Sequence, residues 1–120
     1  MKRSIFLSLF ILATVTAFAW SSRKYNVTYD QNFNPIVSMD LTNSTGKTIA
    51  DIDFIIFIKK EGASQWDVMA VDELHIIQTV NMTPSSSRTF RLKPKVPKGW
   101  YVSSAGVEKI RYSDGTVTQY

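Results

Sequence analysis

An all-β sandwich is the fold this sequence predicts, and three observations predict it. Beyond residue 24, apolar and polar residues alternate with period two almost everywhere, and the i, i+3, i+4 spacing of an amphipathic helix is nearly absent. Turn-forming clusters interrupt the alternation at intervals of roughly 8–12 residues. The stretch is also roughly a hundred residues long, the size of one domain able to close two sheets over a single core.

Tyr25, Val27 and Tyr29 alternate with Asn26, Thr28 and Asp30, which predicts a first half-buried strand. Asn34-Pro35 ends it, because a residue before proline is pushed towards extended or turn geometry. Val37, Met39 and Leu41 mark a second strand, and Asn43 to Lys47 a loop in which Gly46 is free to take a positive φ. Ile49 to Lys60 reads as the central strand. It carries Ile52, Phe54, Ile56 and Ile58 on one face and Asp53, Ile55 and Phe57 on the other, a pattern that predicts burial on both sides.

Glu61 to Gln65 breaks the pattern, and Trp66 to Glu73 fits either a short edge strand or a single helical turn. Leu74, Ile76, Val80 and Met82 resume the alternation, with Gln78 on the apolar side. After the turn cluster Thr83 to Ser87, Phe90 and Leu92 anchor a strand whose opposite face is Arg91, Lys93 and Lys95; Pro94 and Pro97 mark it as an edge. Trp100 to Val102 and Val107 to Tyr112 form one long strand interrupted at Ser103 to Gly106, as a β-bulge would interrupt it. Asp114-Gly115 fits a two-residue type I′ hairpin, with Val117 to Tyr120 returning. About seven strands at this spacing predict a single immunoglobulin-like β-sandwich, with a small barrel as the alternative.

The N-terminus predicts the compartment. Lys2-Arg3, the uncharged run Ile5 to Phe18 and the small-x-small triplet Ala17-Phe18-Ala19 have the layout of a signal peptide over residues 1–19, leaving residues 20–120 as the domain. The run is short for a membrane span, which needs roughly 20 apolar residues; the alternative is an uncleaved anchor with Trp20 at the interface. A periplasmic or secreted protein with no stable span after cleavage is therefore expected. Loss of Lys2 and Arg3 lowers the formal net charge from +4 to +2, too little to predict a nucleic-acid partner. The chain has no cysteine, so thiol chemistry, thiolate metal sites and disulfides all drop out together.

The segment Met39 to Phe54, with its strand, Asn43-Ser44-Thr45-Gly46-Lys47, Ile49 and second strand, resembles a hairpin of bacterial extracytoplasmic Ig-like modules, the FxLYD-type domains being nearest. Val107 to Thr116 is similar to the closing Asp-Gly-Thr hairpin of such modules. The resemblance covers about a third of residues 20–120 and implies a fold and an exported setting, with no catalytic residues to carry over.

Chemistry-bearing residues are sparse. His75 is the sole histidine, with Asp72 and Glu73 close enough in sequence to raise its pKa, and it reads as a surface or packing residue. Asp51 and Asp53 share a strand face about 7 Å apart and read as solubilising a strand end; neither a metal nor a cofactor is expected. Three Asn-x-Ser/Thr matches, at Asn26, Asn43 and Asn81, read as chance in a bacterial protein. The most suggestive surface is basic and aromatic: Arg88, Arg91, Lys93, Lys95 and Lys98 followed by Trp100 and Tyr101. Such side chains bind anionic groups and stack on rings, and lysines on an edge strand equally well prevent sheet-to-sheet aggregation. The expectation is a non-enzymatic binding or interaction module whose partner is another envelope protein or an anionic glycan. The alternative is a small secreted hydrolase inhibitor acting through the Val96 to Trp100 loop.

Overall fold

The computed structural model describes residues 25–64 and 67–120, and in them period-two alternation builds seven strands. These are β1 (Tyr25–Tyr29), β2 (Pro35–Thr42), β3 (Ile49–Lys60), β4 (Val71–Met82), β5 (Ser87–Leu92), β6 (Trp100–Tyr112) and β7 (Val117–Gln119). One sheet has the order β1-β2-β5 and the other β4-β3-β6-β7, with every pairing antiparallel. The result is an immunoglobulin-like β-sandwich of three strands over four, in which the fourth strand joins the third. The segment Met1 to Ala19 that reads as a signal, and Trp66, lie outside the described residues.

The core is what the alternation requires. Val37, Met39 and Leu41 of β2 and Phe90 and Leu92 of β5 face Ile52, Phe54, Ile56 and Ile58 of β3, with Val107 and Ile110 of β6 beside them, all buried. The Phe54 and Phe90 rings meet across the two sheets at 5.2 Å between centroids, which places β5 above β3. Asn43 is the only polar residue with no exposed surface among the described residues. Its Nδ2 donates to Lys47 O (2.7 Å), Met82 O (3.1 Å) and Thr83 O (3.2 Å), and its Oδ1 accepts from Thr45 N and Oγ1. One amide thereby joins the β2–β3 loop to the β4–β5 loop. It also leaves the Asn43 nitrogen no freedom to carry a glycan in the folded chain.

Several local readings change. Among the described residues no second layer covers the outer face of β3, and Ile55 and Phe57 there are half-buried. The ambiguous Trp66 to Glu73 segment contains both candidates, a 3-10 turn at Val68–Ala70 capped by Asp67 and then the start of β4. β6 runs unbroken for 13 residues, absorbing its irregularity as register shifts against β3 that leave Ser103 and Glu108 as extra residues. The last hairpin turns at Asp114-Gly115, but only Gly115 has a positive φ (90°), whereas a type I′ turn needs two such residues. Gly115 N donates to Tyr112 O and Tyr112 N to Thr116 O, the pattern of a type I turn closed by a G1 bulge. The Asp114 carboxylate accepts from Thr116 N and Oγ1 and so fixes this longer form. The Asp30 to Asn34 turn has the same hydrogen-bond pattern, with Phe33 (φ 62°) where the other has glycine.

Candidate functional site

Three strands cannot cover four. With β5 above β3, the inner face of β4 is only partly roofed, so Leu74, Ile76 and Gln78 remain half-buried. This accounts for Gln78 on the apolar side of its strand: its position is the floor of a groove rather than the core. The groove has a volume of about 570 Å³ and runs between Leu74, His75, Ile76 and Gln78 on one side and Arg91, Lys93, Pro94 and Lys95 on the other. Its roof line is the edge of β5, which among the described residues pairs with β2 alone.

At the β4 bulge opposite Ala50, Val80 O accepts a hydrogen bond from Arg88 Nη1 (2.7 Å), and the Arg88 guanidinium lies 5.8 Å from the Phe90 ring centroid. Arg88 shares parity with Phe90 and Leu92, so it ties the two sheets together and does not join the basic strip. Beyond Leu92, Lys93 and Lys95 continue the outward face of Arg91, and Pro94 turns inward and is buried. Lys93 and Lys95 also line a second, smaller hollow of about 330 Å³ with Asp30, Asn34 and Pro35. There the backbone N–H groups of Asn34 and Asn32 hold the Asp30 carboxyl below its usual pKa, with Lys93 a lesser contributor.

Of the residues singled out in the sequence, Arg91, Lys93 and Lys95 come together and the rest do not. The Pro97 to Trp100 turn, closed by Trp100 N donating to Pro97 O, carries the chain away to β6. Lys98 is exposed in that turn, and Trp100 folds back against the core and does not project. Tyr101 is exposed on β6 beside Lys59, two strands from β4, where it borders a separate small hollow.

The outer face of the four-stranded sheet holds a cluster that sequence spacing did not assemble. His75 Nδ1 lies 2.9 Å from Glu108 Oε1 and 3.3 Å from Asp53 Oδ1, and its Nε2 lies 3.3 Å from Glu73 Oε1. β4, β3 and β6 supply His75, Asp53 and Glu108 in turn, and the register shift on β6 is what turns Glu108 towards the other two. Hydrogen bonding to Glu73, then to Asp53, with the nearby Glu108 charge, raises the His75 pKa above its ordinary value. Asp51 takes no part, being paired with Arg111 (2.8 Å), so the two aspartates of one strand face serve different partners. The proximity of Glu73 was legible in the sequence. The distant Glu108 was not, since the bulge that aims it has no residue signature.

No protein-family model, curated protein or solved structure matches the chain. The fold and the groove therefore define the class by themselves: an immunoglobulin-like sandwich with one incompletely covered edge.

Proposed function

We propose that this protein is a non-enzymatic binding module of the periplasm or the secreted space, and that it takes an extended, acidic segment of an envelope protein into the β4–β5 groove. The observation that carries this reading is the half-covered apolar floor of Leu74 and Ile76 lying beside a free strand edge and three cations. A strand added to β5 would gain main-chain hydrogen bonds along that edge. Its inward side chains would cover Leu74 and Ile76, and its outward side chains would face Arg91, Lys93 and Lys95. Alternation thus translates directly into a ligand pattern, apolar inward and acidic outward. The attraction of the cations is solvent-exposed and weakens as salt rises. His75 is engaged with three carboxylates, which favours a binding role over nucleophile activation.

The test is an amide NMR titration with an eight-residue peptide of alternating Val and Glu. Shifts are expected along Ser87 to Leu92 and at Leu74 and Ile76, and they should vanish in the R91E/K93E/K95E variant. Unshifted β5 amides at about 1 mM peptide, the weak end of measurable affinity, would refute strand addition. A heparin oligosaccharide forms the second arm. Cation-dependent binding of heparin without β5 shifts would replace the protein segment with an anionic glycan.

A further inference from the structure

We infer that Asp53, His75 and Glu108 form a divalent transition-metal site on the outer face of the four-stranded sheet, of a kind suited to Zn²⁺. The inference is independent of the groove reading. A metal bound about 2.0–2.1 Å from each donor in a tetrahedron holds the donors about 3.3 Å apart. The His75 Nδ1 to oxygen separations are 3.3 Å to Asp53 and 2.9 Å to Glu108, and the three donor atoms all lie within 4.8 Å of one another. Both separations from His75 thus lie near the spacing of a tetrahedral coordination sphere, and the third stays within 4.8 Å.

Hydrogen-bond accounting at the imidazole is the second argument. In the tautomer that donates Nε2–H to Glu73, Nδ1 presents a lone pair to two carboxylate oxygens. Three acceptors then converge, and either a proton on Nδ1 or a metal cation supplies the positive charge between them, so the ion competes with a proton for the same place. Metal-bound histidines characteristically give their other N–H to a carboxylate, which fixes the ring and raises its basicity, and Glu73 is placed to do so. Glu73 is thus a positioning residue and not a ligand. The charges also balance, since two carboxylates and a neutral imidazole carry −2 against +2 for the ion. One imidazole with two carboxylates suits zinc better than calcium, which seeks six to eight oxygens. An ion there would bind an edge strand to the two strands at the middle of its sheet, as a staple in a protein without disulfides.

Isothermal titration of the purified protein with ZnCl₂ tests the proposal, with circular dichroism confirming that each variant is folded. One zinc per chain is expected, with His75 ring signals shifting on addition. His75→Ala should abolish binding, and D53N/E108Q should weaken it by about tenfold or more. Glu73→Gln should weaken binding about tenfold while preserving the one-to-one stoichiometry. Absence of saturable binding, or binding that survives His75→Ala, overturns the site. An unchanged affinity in Glu73→Gln overturns the positioning role of Glu73.

Discussion

Asn43 offers the sharpest test of how the two inter-sheet loops at one end of the sandwich are joined. In Asn43→Ala, Lys47 O keeps a donor in Thr45 Oγ1, and Thr83 O keeps Ser86 N and Oγ. Met82 O loses its Asn43 donor in the most buried part of the network. Leaving a buried carbonyl short of a donor costs about 1–3 kcal/mol, and the remaining bonds, whose partners find other donors or water, add about 1 kcal/mol together. The expected loss is about 3 kcal/mol, a large share of the stability of a domain this size. With a urea slope of about 1.5 kcal/mol per M, the unfolding midpoint should fall by about 2 M. Asn43→Asp keeps the shape but presents an oxygen to three carbonyl oxygens. It should be worse than alanine at neutral pH and recover partly in acid, where the carboxyl proton restores one donor. Urea unfolding followed by tryptophan fluorescence measures both. A loss below about 0.5 kcal/mol in Asn43→Ala, or an Asn43→Asp variant as stable as the parent at neutral pH, would refute the polar-plug account.

Three further outcomes follow from the geometry. Arg88→Ala should cost about 1–2 kcal/mol through the lost charge-assisted bond to Val80 O, yet leave heparin retention little changed; a large drop in retention would return Arg88 to the basic strip. Phe33→Gly should stabilise the protein by about 1 kcal/mol in thermal or urea unfolding, because Phe33 holds a left-handed backbone while 83 % exposed and gains little packing in return. The Asp114 carboxyl is held down to about 2 from 3.8, first by its bonds from Thr116 and then by Lys47. Its contribution is complete above pH 3.8 and is lost as pH falls towards 2, so Asp114→Asn should flatten the stability profile in that window; an unchanged acid limb would count against the turn assignment.

Strand content and strand edges were legible because alternation and turn chemistry are local. Pro94 and Pro97 mark β5 as an edge, and Asp114-Gly115 marks the final reversal. What was illegible depends on strands meeting. The parity of Arg88 with Phe90 hints at its inward course, but the bulge at Val80 that gives it an acceptor belongs to another strand. Trp100 and Tyr101 stand close to Lys98 in sequence, yet one turn and a change of sheet remove them from Arg91, Lys93 and Lys95. Ile55 and Phe57 suggested two-sided burial, since composition does not distinguish a covering layer from shielding by neighbouring strands. The groove itself follows from a count of strands per sheet, three against four, which only the pairing pattern decides.

That unequal count bears on self-recognition. A free edge that accepts a strand is open, in principle, to the same edge of another molecule. A two-fold axis normal to the sheet keeps every side chain on its own face, so an axis at Arg91 would set the outward Arg91 of one molecule directly opposite the Arg91 of the other. Like charges placed directly across a strand pair oppose its formation, and an isologous contact makes the two members of that central pair identical. Pro94, just past the strand end, denies the pair any compensating extension. The symmetry that governs homodimers therefore works against the register centred on Arg91, whereas an acidic strand meets the same cation as an opposite charge.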